Sequence, residues 1–239
     1  MHSCTLGVLL PDEVRSRNDR AMPNQQPIDV RAMAIVHQTF RNAFTESAQL
    51  IRANPTPSPE RVAFMSDHVD FALGMLHHHH ASEDELLYPL LIQRAPEEAA
   101  ETERTQHQHK EVEGTIEAAT NACVTWRKSP SAESGEALAT SLEALNEALQ
   151  PHLDDEEQIT VPLAAVTLTQ AEWDKMGEQG TAGIPKKMLP VAFGMLLEPL
   201  NESDRALMKA ELPGFVRLFY GPLIQRPWNK YKKTLRTGT

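Results

Sequence analysis

Between residues 29 and 163 one pattern recurs four times: apolar residues return at alternating steps of three and four, and a histidine breaks each stripe. That period is the signature of a helix with one buried face. The first stripe runs Val30, Met33, His37, Phe40, Phe44, Ile51, with Asp29 as the expected N-cap, and the prolines of PTPSP at 55–59 end it. A second helix is expected from about Glu60 into the low 90s, with Met65, Val69, Ala72, Leu76, His79, Glu83, Leu87 and Leu90 inward. After Ala95 and Pro96 a Glu-rich first turn opens a third, whose stripe is Thr105, His109, Val112, Ile116, Ala119, Cys123 and Trp126. SPSAESG makes a turn, and the fourth stripe reads Leu142, Leu145, Leu149, His152, Glu156, Ile159, Leu163. Four long helices with short connections predict an all-α, antiparallel up-down four-helix bundle with polar groups meeting in its core.

The polar positions repeat as well as the apolar ones. His79 and Glu83 are four apart, as are His152 and Glu156, so each pair stacks on one helix face and reaches a common point. A prolyl residue follows each histidine by ten positions, Pro89 in one case and Pro162 in the other. A lone histidine on an apolar face is usually a hydrogen-bonded core residue. Four imidazoles and two carboxylates in one core layer would cost roughly 1–3 kcal/mol for each group left unpaired, and a bound cation removes that cost. Of the run His77–His80, His79 is the inward choice, His80 lies beside the stripe as a further ligand candidate, and His77 and His78 point to the surface. His107 is off the third stripe, and His68 is off the second. Imidazole and carboxylate without thiolate favour iron, with manganese and zinc as competitors.

Charge narrows the partners. Lys and Arg total 23 against 33 Asp and Glu, a net −10, which argues against nucleic acid and anionic lipid. Cys4 and Cys123 form no CxxC motif, which fits a reducing cytoplasm. No apolar run is long enough for a membrane span, and the N-terminus lacks the basic region of a secretory signal. Residues 1–27 are expected to form a flexible arm and 28–163 the bundle. Residues 164–239 are expected to form a helical extension packed on the bundle, with Phe193, Met195, Leu196, Phe215, Leu218, Phe219 and Tyr220 as packing or dimer-interface residues.

The order His37, His79xxxGlu83, His109, His152xxxGlu156 resembles the H, HxxxE, H, HxxxE pattern of bacterial hemerythrin-like proteins of the HHE cation-binding family, over roughly residues 29–163. The resemblance implies two iron ions joined by an oxo or hydroxo bridge, with His37, His79, His109 and His152 as terminal ligands and Glu83 and Glu156 bridging. It also implies an open coordination position for O2, H2O2 or NO. The chain departs from oxygen-carrying hemerythrins: it has no HxxxH on the third helix, where Thr105 and Glu113 flank His109, and it has Glu156 in place of an Asp five residues after the histidine. His80 or Glu113 would then complete the set, and redox turnover becomes more plausible than reversible carriage. The expected function is a cytoplasmic di-iron protein, monomer or homodimer, that binds or reacts with a small oxidant, with catalase-like or oxidase activity as one form. A sensing or metal-stabilised interaction module and a di-iron oxygenase acting on an organic substrate are the other readings.

Overall fold

The computed structural model describes residues 27–210, 212 and 214–238, and every element among them is helical. The arm expected over residues 1–27, including Cys4, lies outside the described residues except for residue 27. Four long helices carry the four stripes: α1 (Arg31–Arg52), α2 (Pro59–Leu86), α4 (Ala99–Lys128) and α5 (Ala132–Asp155), with a short α3 (Tyr88–Arg94) after α2. Helices α1 and α4 each pack against both α2 and α5, so the four stripes face one shared core. Phe40, Phe44, Met65, Leu76, Trp126, Leu142, Leu145 and Leu149 are fully buried there. Each such side chain contributes about 1.5–3 kcal/mol of burial free energy.

Local chemistry starts two of these helices, α2 at Pro59 close to the expected Glu60 and α5 at Ala132, inside the SPSAESG stretch expected to be a turn. The Ser58 hydroxyl accepts the Arg61 N–H with Pro59 at the first helical position, and Ser131 and Ser134 form a reciprocal capping box at the head of α5. Three other boundaries also differ from expectation. Helix α1 begins at Arg31 with Val30 as its cap residue, although the Asp29 carboxylate still accepts the Arg31 N–H at 3.1 Å. Helix α2 ends at Leu86 rather than in the 90s, because Pro89 has no N–H for the carbonyl one turn back and the chain restarts as α3. Helix α5 passes at Glu156–Thr160 into a π turn before α6 (Val161–Thr167). The wider turn takes up one extra residue and shifts the stripe by one, so Thr160 and Ala164 are buried while Ile159 and Leu163 are only half-buried.

Beyond α6 the chain forms α7 (Gln170–Ala182), α8 (Leu189–Leu197), α9 (Glu202–Ala210), α10 (Gly214–Leu218), a π turn at Gly221–Gln225 and α11 (Arg226–Thr237). Helix α7 lies on α2, while α8 lies on α1 and on α11. Leu235 joins the bundle core, and the Arg61 guanidinium donates to the Thr234 and Leu235 carbonyls at 2.8 and 2.6 Å, closing the end of α11. Phe193, Met195, Leu196 and Tyr220 are half-buried as expected of packing residues, but Phe215, Leu218 and Phe219 are exposed. Helix α10 is a five-residue turn, too short to lay a face on the bundle. Among the described residues no helix is long and apolar enough to cross a membrane.

Candidate metal centre

Each long helix brings its histidine to one layer of the core. Helix α1 supplies His37, α2 supplies His79, His80 and Glu83, α4 supplies His109, and α5 supplies His152 with Glu156 at the first position of the π turn. His37, His79, Glu83 and Glu156 each offer a ligand atom within 4.8 Å of one another, and His80, His109 and His152 form a second such group. The carboxylates lie between the groups. Glu83 Oε1 is 3.3 Å from His79 Nε2 and its Oε2 is 3.7 Å from His109 Nε2. Glu156 Oε2 is 3.3 Å from His37 Nε2 and 3.5 Å from His152 Nε2, while Oε1 is 3.9 Å from His109 Nε2. Each carboxylate therefore presents its two oxygens to different histidines.

His80, kept open in the sequence, stacks on His109 with ring centroids 4.2 Å apart and meets His152 edge-on at 5.1 Å. Glu113 is not brought to this layer: it is exposed on α4 and faces His77 at 3.5 Å. His77, His78 and His107 are exposed. His68 is buried and its Nδ1 meets the Tyr231 hydroxyl at 3.0 Å, away from the cluster.

Three of the imidazoles have a polar neighbour at Nδ1. His37 Nδ1 meets Glu157 Oε1 at 2.9 Å, His109 Nδ1 meets Asp84 Oδ1 at 3.1 Å, and His152 Nδ1 meets Gln108 Oε1 at 3.4 Å. Arg41 fixes Glu157 in turn at 2.9 Å. Such partners orient a ligating imidazole and select which nitrogen is free. Within the cluster Nε2 of His37, His79, His109 and His152, both His80 nitrogens, both Glu83 oxygens and Glu156 Oε2 are buried without a hydrogen-bond partner. Buried polar atoms are almost always satisfied, so this many orphans gathered in one layer describe a cation-shaped gap.

Electrostatics give the same picture. Burial drives the Glu83 carboxyl well above its usual range, reinforced by the nearby Glu156 charge. Burial pushes Glu156 the same way, but the His152 and His37 imidazoles outweigh it and hold that carboxylate well below. Burial depresses His79 to about 3 and His152 to about 4, with neighbouring imidazoles adding to the effect at each, so these rings are neutral, the form that binds a metal. For His37 burial acts downward, yet contacts with Glu156 and Glu157 leave it raised.

Tyr88, Gln108 and Arg41 were not singled out by the periodicity. The Tyr88 hydroxyl donates to Glu156 Oε1 at 2.5 Å from a fully buried position. A tyrosine next to the helix-breaking Pro89, five residues past Glu83, was the available signal. Arg41 and Gln108 sit one turn after His37 and one residue before His109, and ordinary surface positions carry the same types. Compared with known families, the chain matches the model described as the hemerythrin HHE cation binding domain over residues 29–164. No curated protein and no solved structure matches it.

Proposed function

Because the chain belongs to the hemerythrin HHE cation-binding family, we propose that it is a non-haem di-iron protein that binds and reacts with a small oxidant, O2, H2O2 or NO. The observation that carries this reading is the placement of Glu83 and Glu156 between two histidine groups, each carboxylate within reach of histidines of both groups. His37 and His79 would serve one ion, His80, His109 and His152 the other, with the glutamates shared, in a bundle of antiparallel up-down helices. A pair of iron ions held so supplies Lewis acidity and electrons for reduction of the oxidant.

The residues do the rest. Buried imidazoles and two carboxylates give a water-poor ligand set, and Asp84, Glu157 and Gln108 stand beside the outward nitrogens of His109, His37 and His152 and would fix their orientation. Tyr88 holds one Glu156 oxygen by hydrogen bond, limiting how that carboxylate turns. An imidazole-rich set of five histidines suits redox turnover, and consumption of peroxide needs no pocket for an organic molecule.

The test is metal content with an optical spectrum of anaerobically purified protein, repeated after air and after hydrogen peroxide. About two irons per chain, with a near-ultraviolet band appearing on oxidation and steady peroxide loss, is the expected result. Stoichiometric zinc, or a metal-free chain with the same stability as the loaded one, would overturn it.

A further inference from the structure

His79, with 12% of its side chain exposed, is the most accessible of the histidines in the two groups, and it lines a cavity of about 150 Å³ between the bundle and the C-terminal helices. Met33 and Phe40 of α1 and Met75 of α2 form one wall, and Trp173 and Met176 of α7 with Phe193 of α8 form the other. The lining contains no charged side chain. Its hydroxyls are already committed: Ser82 donates to the His78 and His79 carbonyls at 2.8 Å, and Thr181 to the Gly177 carbonyl at 3.1 Å. The Phe40 ring lies against His79 with centroids 5.3 Å apart, so apolar surface continues up to the imidazole.

We propose that this cavity is a binding site for one small, uncharged, apolar organic molecule, held against His79 by α7 and α8. An apolar cavity of this size gives water too few hydrogen-bond partners and accepts a molecule such as benzene instead. Thioether and aromatic walls adapt to such a guest without selecting a charged one. The cavity stands on its own lining, whereas the role of its occupant beside a metal rests on the di-iron reading. Helices α7 and α8 lie outside the matched residues 29–164, so this wall is an addition to the metal-binding domain.

The probe is benzene, titrated by calorimetry into the full chain, once metal-free and once iron-loaded, with tryptophan emission and imidazole proton shifts followed in the metal-free protein. The expected result is saturable binding of one benzene per chain and a change in emission that is absent in Trp173→Phe. The His79 ring protons should shift and those of His68 should not, and benzoate should bind at least about tenfold more weakly. Gly177 lines the cavity on α7 and a Cβ there meets nothing within 4 Å, so Gly177→Leu should keep the fold and weaken benzene by about tenfold or more. Phe193→Ala should widen the cavity and admit naphthalene. No saturable benzene binding up to its solubility, or binding that leaves His79 unshifted, would overturn the proposal. Benzene binding by a chain that takes up no iron would sink only the di-iron reading, and iron uptake without benzene binding only the cavity.

Discussion

Tyr88 and Glu156 are joined by a 2.5 Å hydrogen bond that links the start of α3 to the π turn, inside the layer where both histidine groups meet. A phenol hydroxyl donating to a buried carboxylate is worth about 1.5–3 kcal/mol. Tyr88→Phe should leave the fold in place, lower stability by that amount, and weaken iron binding by about 10–100-fold, the usual effect of removing a partner of a ligating carboxylate. Equilibrium iron competition against a chelator, with urea melts in parallel, measures both.

The unpartnered atoms at the centre make stability depend on the metal. At about 100 times the dissociation constant a single bound ion adds about 2.7 kcal/mol, which in a chain of this size raises the melting temperature by about 5–10 °C. Calorimetric scans before and after chelation should show that loss, and Glu83→Gln should abolish most of it.

His80 and Glu113 separate cleanly by position. His80 lies among His109 and His152, whereas Glu113 faces His77 at the surface. His80→Ala should reduce iron from about two to about one per chain, while Glu113→Ala keeps the full content by elemental analysis.

His68 is buried against Tyr231, and burial lowers it to about 4, with the Arg61 charge adding to the effect. Its folded affinity for protons lies below the unfolded one near 6.5. Stability from this residue is therefore complete above pH 6.5 and falls as pH drops toward 4, by up to roughly 3 kcal/mol. Urea melts of the metal-free protein from pH 7.5 downward should show a shallower decline for His68→Gln than for the wild type.

The sequence made the four helices and the convergence of their histidines readable because both follow from one period. Stripes of three and four put His37, His79, His109 and His152 on the buried face together with the leucines around them, and all four meet in one layer. His80 stayed open since it is one residue off the stripe, 100° around the helix, and only its packing on His109 shows which way it turns. Tyr88 and Gln108 stayed hidden because they act through single long-range hydrogen bonds, which leave no periodic trace. The exposure of Phe215, Leu218 and Phe219 was equally hidden: apolar composition predicts burial, but burial needs a neighbouring element, and the short α10 has none over those side chains.

The π turn at Glu156–Thr160 leaves the fourth bundle helix one residue longer than an uninterrupted α-helix over the same rise. Removing the exposed Gln158 would close that turn to the ordinary ladder and leave everything after it facing the same way. Thr160 and Ala164, buried now, would then stand seven and eleven positions after His152, where the plain period places Ile159 and Leu163 in the present chain. The chain thus contains the text of a shorter, continuous helix with the same buried face, and a single codon separates the two.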